Sequence, residues 1–172
     1  MRLSTLTAAL LIAAAPACLA SAAQPTDPQI AHIAYTAGVL DIEAAKLAQK
    51  RSKNAEIVSF ADDMVRDHQA VNDQALALVE KHGVTPEDND TSKALAAAAK
   101  AKQAELEALD GPAFDKAYAE NEVAYHRTVN EALESTLIPN ASNPELKALL
   151  TTGLKIFQGH QEHAEQLAAG LK

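Results

Sequence analysis

"IVSFADDMVRDHQAVNDQALALVEKH", residues 57–82, carries Ile57, Ala61, Met64, His68, Val71, Ala75, Leu78 and His82 at alternating steps of four and three. Such a repeat lines one side of an α-helix, and a stripe kept over this length is a seam by which helices pack together. A strand would alternate at steps of two. Asn54 stands before the seam as a cap and Gly83 closes it. The stretch therefore predicts a long bundle helix, yet histidine fills two seam positions where an apolar residue would pack.

The same period continues on both sides. "TDPQI" (26–30) offers Asp27 as a cap with Pro28 in the first turn, and Ile30, Ile33, Ala37, Leu40, Ala44 and Leu47 then mark a first helix over residues 28–51. Residues 84–111 begin with the polar "VTPEDNDTS" (84–92), pass through an alanine-rich stretch that predicts a short helix, and end at "LDGP" (109–112). A third long helix is predicted over residues 112–138, with Tyr118, Glu122, Tyr125, Val129, Ala132 and Thr136 on its stripe. After the turn "PNASNP" (139–144), Asn143 and Pro144 open a fourth, with seam Leu146, Leu149, Gly153, Ile156, His160, His163 and Leu167. Two hairpins joined by a long crossover predict an all-α, ferritin-like four-helix bundle with a short extra helix in the crossover.

Arg2, the apolar run 6–15 and the small residues of "ACLASAAQ" (17–24) have the layout of a secretory signal, cut after Ala22 or Ala23. Residues 24–172 are then one domain of ordinary size, exported to the periplasm. Cys18, the one cysteine, falls inside the signal, so the mature chain has no disulfide. A lipoprotein anchored at Cys18 is the lesser alternative, because "APA" before it matches the usual leucine-led box poorly. No later segment reaches the ~20 apolar residues that span a bilayer. The formal charge of −8 argues against nucleic acid or an anionic membrane as partner. The residues name no protein partner, and self-association into a homo-oligomer stays open. Without a phosphate-binding loop, a nucleophile elbow or a reactive cysteine, enzymatic activity stays open as well.

Counting along the predicted helices places His68 and His126 each fourteen residues from the same end of the bundle, ~21 Å down. His160, on the returning fourth helix, falls level with Glu122, one turn away. The first hairpin pairs Glu43 with Asp62, near the height of His163. His68, Glu122, His126, His160, His163 and Glu43 thus share a central band. Imidazole and carboxylate suit a transition metal such as Fe, Zn, Cu or Mn, and facing helices hold such donors without moving. The competing reading makes each histidine a buried group paired with a carboxylate or carbonyl. Asp67, beside His68, reads on spacing alone as a helix-surface charge rather than a partner of a histidine. His32 and His82, near helix ends, read as structural, and Tyr118 and Tyr125 as core volume.

"FADDMVRDHQAVN" (60–72), "AFDKAYAENEVAYH" (113–126) and "GHQEHA" (159–164) resemble the bacterial family named domain of unknown function 4142. The resemblance covers nearly all of the mature chain. It implies an exported, ferritin-like helical protein whose biochemical role is not established. The family pattern falls on Glu43 in "DIEAAKLA" (41–48), Asp67, His68, His126 and His160, with His163 as an addition. Di-iron relatives of the fold carry Glu-x-x-His on two helices. Val65 and His160 stand where those glutamates would be, which points away from a di-iron oxidase and toward a histidine-rich single-metal site. Two functions follow: a metal-binding bundle for storage, buffering or redox and stress defence, or a structural or stress-response interaction bundle without metal.

Overall fold

The structure, a computed structural model, describes residues 24–171; the predicted signal segment and Cys18 lie outside them. Its helices are α1 (Asp27–Arg51), α2 (Ala55–His82), α3 (Asp90–Glu107), α4 (Gly111–Ala132), α5 (Ile138–Asn140) and α6 (Pro144–Gly170). Among the described residues there is no strand. The helix ends follow local chemistry. Asn54 Oδ1 accepts from the Glu56 N–H at 2.9 Å, and Asn143 Oδ1 accepts from Glu145 and Leu146 at 2.8 and 3.1 Å. Gly83 ends α2 at φ 61°, a left-handed conformation that costs glycine nothing.

Three expectations change. Asp27 is not the cap of α1 but its first residue, after the cap Thr26. Its carboxylate instead accepts the backbone N–H groups of Ser142 and Asn143, both at 2.8 Å, tying the start of α1 to the turn before α6. The crossover helix α3 runs for 18 residues, because alanine favours helix strongly and Asn89 and Ser92 cap each other at its start. Helix α4 does not continue unbroken to residue 138. Leu133–Leu137 form a π-helical turn in which the Ile138 N–H reaches the Leu133 carbonyl. Pro139 stands two residues beyond the turn, and its ring would collide with the carbonyl four residues back in a regular helix, a clash that a widened turn relieves.

Helix α1 pairs with α2 and α4 with α6, α2 packs on α6, and α3 lies along α1 as a fifth helix. At one end Ala48, Ile57, Phe60, Leu106, Phe114 and Leu167 share a buried cluster, so α2 and α4 begin where α1, α3 and α6 finish. At the other end Ile30, Leu133, Leu137, Leu146 and Leu150 form a second. Between these apolar halves lies a buried polar layer of Asp41, His68, Glu122, His126 and His160. Gly38 lets α1 and α2 approach beside this layer, since a Cβ there would stand 2.4 Å from the Asn72 side chain.

Because Asp27 serves two backbone donors of the turn that leads into α6, Asp27→Ala should cost about 1–2 kcal/mol of stability. Urea unfolding of variant and wild type measures this, and an unchanged midpoint would show that the two N–H groups are served as well by water.

Candidate metal centre

The polar layer draws on four helices: Asp41 from α1, His68 from α2, Glu122 and His126 from α4, and His160 from α6. None exposes more than 7% of its surface. Asp41 Oδ2 lies 3.4 Å from His68 Nε2 and 3.5 Å from His126 Nε2, and Glu122 Oε2 lies 3.6 Å from His126 Nδ1. One donor atom each from His68, His126 and His160 falls within 4.8 Å of the others, and the same holds for Asp41, Glu122 and His126. Both Asp41 oxygens, both His68 nitrogens, Glu122 Oε2, His126 Nε2 and His160 Nδ1 are buried without a hydrogen-bond partner among the described residues. Buried polar groups are nearly always partnered, so a set of orphans converging on one place is what needs explaining.

Two of the rings have their orientation fixed. His126 Nδ1 donates to the Glu122 carbonyl at 3.0 Å, leaving Nε2 with its lone pair toward Asp41. His160 Nε2 donates to Asp67 Oδ2 at 3.0 Å, leaving Nδ1 as an acceptor. Asp67 is held in turn by a two-pronged contact from Arg66, at 2.8 and 3.0 Å. It is therefore a partner of a histidine and not a free surface charge, which corrects the reading from spacing. The His68 ring stacks on Phe157, centroids 4.4 Å apart and planes within 6°. Hydrogen bonds that set tautomer and ring direction are what metal-ligating histidines require.

Burial governs the electrostatics. It pushes Asp41 up to about 8, and pushes Glu122 well above its ordinary range, with Asp41 nearby adding to the effect. It pulls His126 down to about 4 and His68 well below its ordinary value, helped in both cases by the neighbouring imidazoles. His160 is lowered by burial, with Asp67 opposing. Burial would raise Asp67, but hydrogen bonds from Arg66 and His160 outweigh it and hold the carboxylate below its usual range. The layer is therefore neutral imidazole beside carboxyl groups that resist ionising.

Residues 13–167 match the family described as "Domain of unknown function (DUF4142)". The chain belongs to that family. No curated protein matches it. The solved structure described as "CopM in the Cu(II)-bound form" is similar, with a TM-score of 0.64 and 15% identity, over 86% of this chain and 99% of that one. At that identity the likeness is one of fold, the helical bundle common to both chains.

Within this DUF4142 chain the structure brings His68, His126 and His160 together, and Glu122 to His126 alone among the three. It does not bring Glu43 or His163 to them. Glu43 is exposed and faces a pocket between α1, α3 and α4, while exposed His163 sets the edge of its ring against Phe60, centroids 5.1 Å apart. Asp41, two residues from Glu43, takes the inner place. The helix phase explains this: residues two apart project about 200° from each other, so with Asp41 on the buried stripe Glu43 faces outward, and Asp62 accepts instead from Gln49 Nε2 at 2.7 Å. The signal for Asp41 was its position three residues after Gly38, on the stripe continued by Ala45 and Ala48.

Proposed function

We propose that the protein binds a transition metal ion in the middle of its bundle, held by His68, His126 and His160 with Asp41 and Glu122 completing the site. The observation that carries this is the convergence of orphaned, buried donor atoms from four helices. Donors on bonds of about 2.0–2.2 Å around a tetrahedral ion stand about 3.4 Å apart, and the 3.4 and 3.5 Å separations around Asp41 fit that spacing. An imidazole-rich set suits Cu and Zn before Mn, and the Cu(II)-bound form of the fold neighbour CopM puts copper first among Fe, Zn, Cu and Mn. Bound there, the ion would supply Lewis acidity or, for copper and iron, one-electron chemistry. The chain's own residues orient the imidazoles and keep water away. Among the described residues no helix is long and apolar enough to cross a membrane. With the signal-like segment this supports an exported protein for storage, buffering or redox and stress defence.

The test is elemental analysis of the tag-free chain, purified from cells grown with each metal in turn. One tightly held ion per chain is expected, lost from the His68→Ala, His126→Ala double variant. A wild-type protein that stays metal-free and refuses every ion would leave the structural bundle as the function.

A further inference from the structure

Two cavities, with Tyr125 in the wall of each, border the polar layer. One, of about 330 Å³, lies between α1, α3 and α4 and has Asp41 and Glu122 in its wall. The other, of about 140 Å³, lies in the half of the bundle that contains α5, with His68 and His126 at one end. Asn72, Thr91 and Thr128 also border it, but the surface it presents is almost all hydrocarbon, from side chains such as Ile33, Val71, Val129, Leu133, Leu150 and Phe157. Tyr125 lines both, and its hydroxyl donates to the Ala37 carbonyl at 2.8 Å, so its ring is fixed between the two spaces. The π-helical turn supplies Leu133 and Leu137 to the second cavity.

We infer that this second cavity is a binding site for small apolar molecules, up to the size of a single aromatic ring, delivered against the face of the histidines. A water molecule needs two to four polar partners to be held, and walls of aliphatic carbon give none over most of this space. A charged or strongly polar ligand would lose its hydration with no return. An uncharged apolar molecule loses nothing and fills contacts that the walls otherwise forgo. Apolar cavities of about this volume in other proteins remain dry and take up xenon or benzene. The cavity's shape and lining do not depend on a metal, so the inference stands apart from the metal reading. Where both hold, the molecule lies beside the ion, while Asp41 and Glu122 stand in the wall of the other cavity.

Xenon-pressurised crystals of the mature, metal-stripped chain test this, together with thermal unfolding in benzene-saturated buffer. Xenon is expected between Phe157, Val129 and Leu133, and benzene should raise Tm. Ala132→Leu on α4 and Ala75→Leu on α2 each place a larger side chain in the cavity, and each should cut the benzene shift by at least half. Xenon only at surface sites, or a benzene shift that is nil or equal in wild type and both variants, would overturn the inference. If one variant fails to fold, the other and the xenon positions decide. Copper titration of the same variants separates the two readings: loss of benzene binding with copper binding intact is the result expected, and loss of both together would mean the variants disturb the polar layer rather than fill a distinct site.

Discussion

Adding Cu(II) to the metal-stripped chain is expected to raise its Tm by about 5 to 10 °C when free metal stands a hundredfold above Kd. Binding to the folded state alone stabilises by RT ln(1 + [L]/Kd), about 2.7 kcal/mol at that excess. For a chain of this size each kcal/mol moves Tm by roughly 2 to 4 °C. His68→Ala, His126→Ala and His160→Ala should each abolish most of the shift, measured against the variant's own metal-free baseline because truncating a buried ring also leaves a cavity. Asp41→Asn should weaken it, since the amide cannot neutralise a cation. His82→Ala is the control, as His82 stands at the far end of α2 beside Glu145, at 3.3 Å. Glu43→Gln and His163→Ala should behave like the control. Scanning calorimetry of the set reads the outcome. No shift in the wild type, or the same shift in every variant, would mean that surface imidazoles bind metal weakly and the layer does not.

The metal-free chain should lose on the order of 2 kcal/mol of stability between pH 6.5 and 8. Asp41 titrates near 8 in the fold against an ordinary 3.8, so over this window the folded chain holds a proton that the unfolded chain has released. Folding stability then falls by about 1.4 kcal/mol per pH unit for each such group. Glu122 acts in the same direction. Below pH 6.5 the histidines work the other way. His126, at about 4 in the fold, refuses the proton that the unfolded chain accepts, and its contribution to stability is lost as pH falls from 6.5 toward 4. His68 and His160 are lowered too. With imidazoles acting on the acid side and carboxyls on the basic side, the stability maximum lies between the two limbs. Urea midpoints across pH 5 to 8.5 measure the curve, and Asp41→Asn should flatten its upper limb. A wild type that gains stability from pH 6.5 to 8 would contradict a buried, protonated Asp41.

The helices and their order were readable because period and caps agree at nearly every boundary. What the sequence could not give is the phase of each stripe. On α6 the predicted and buried seams share Leu146, Gly153, His160 and Leu167. Between these, the buried residue lies four places on and not three: Leu150, Phe157 and Ala164 instead of Leu149, Ile156 and His163. The first two pairs are equally apolar, so hydropathy could not choose. On α1 hydropathy chose wrongly. Leu40, Ala44 and Leu47 look like the seam because they face α3, whose docking widens the apolar arc of α1 and hides the inner stripe of Gly38, Asp41, Ala45 and Ala48. Asp41 was lost in that shift and Glu43 stood in for it. On α4 the buried series steps through Glu122, His126, Asn130, Leu133 and Leu137, leaving Thr136 exposed. The three central histidines survived these errors because heights along a helix depend only on counting from its ends.

Asp41 and Glu122, the carboxyls of the polar layer, favour their protonated form in the metal-free bundle, and among the described residues no lysine or arginine is buried to balance them. One divalent ion replacing two protons leaves the interior with the same net charge as before. Uptake of the proposed ion is thus an exchange, two acid hydrogens for one cation, rather than the insertion of charge into an oily core. Its affinity would climb steeply with pH, by up to a hundredfold per unit while both protons must leave, yet would respond little to added salt, which screens exposed charges far more than buried ones.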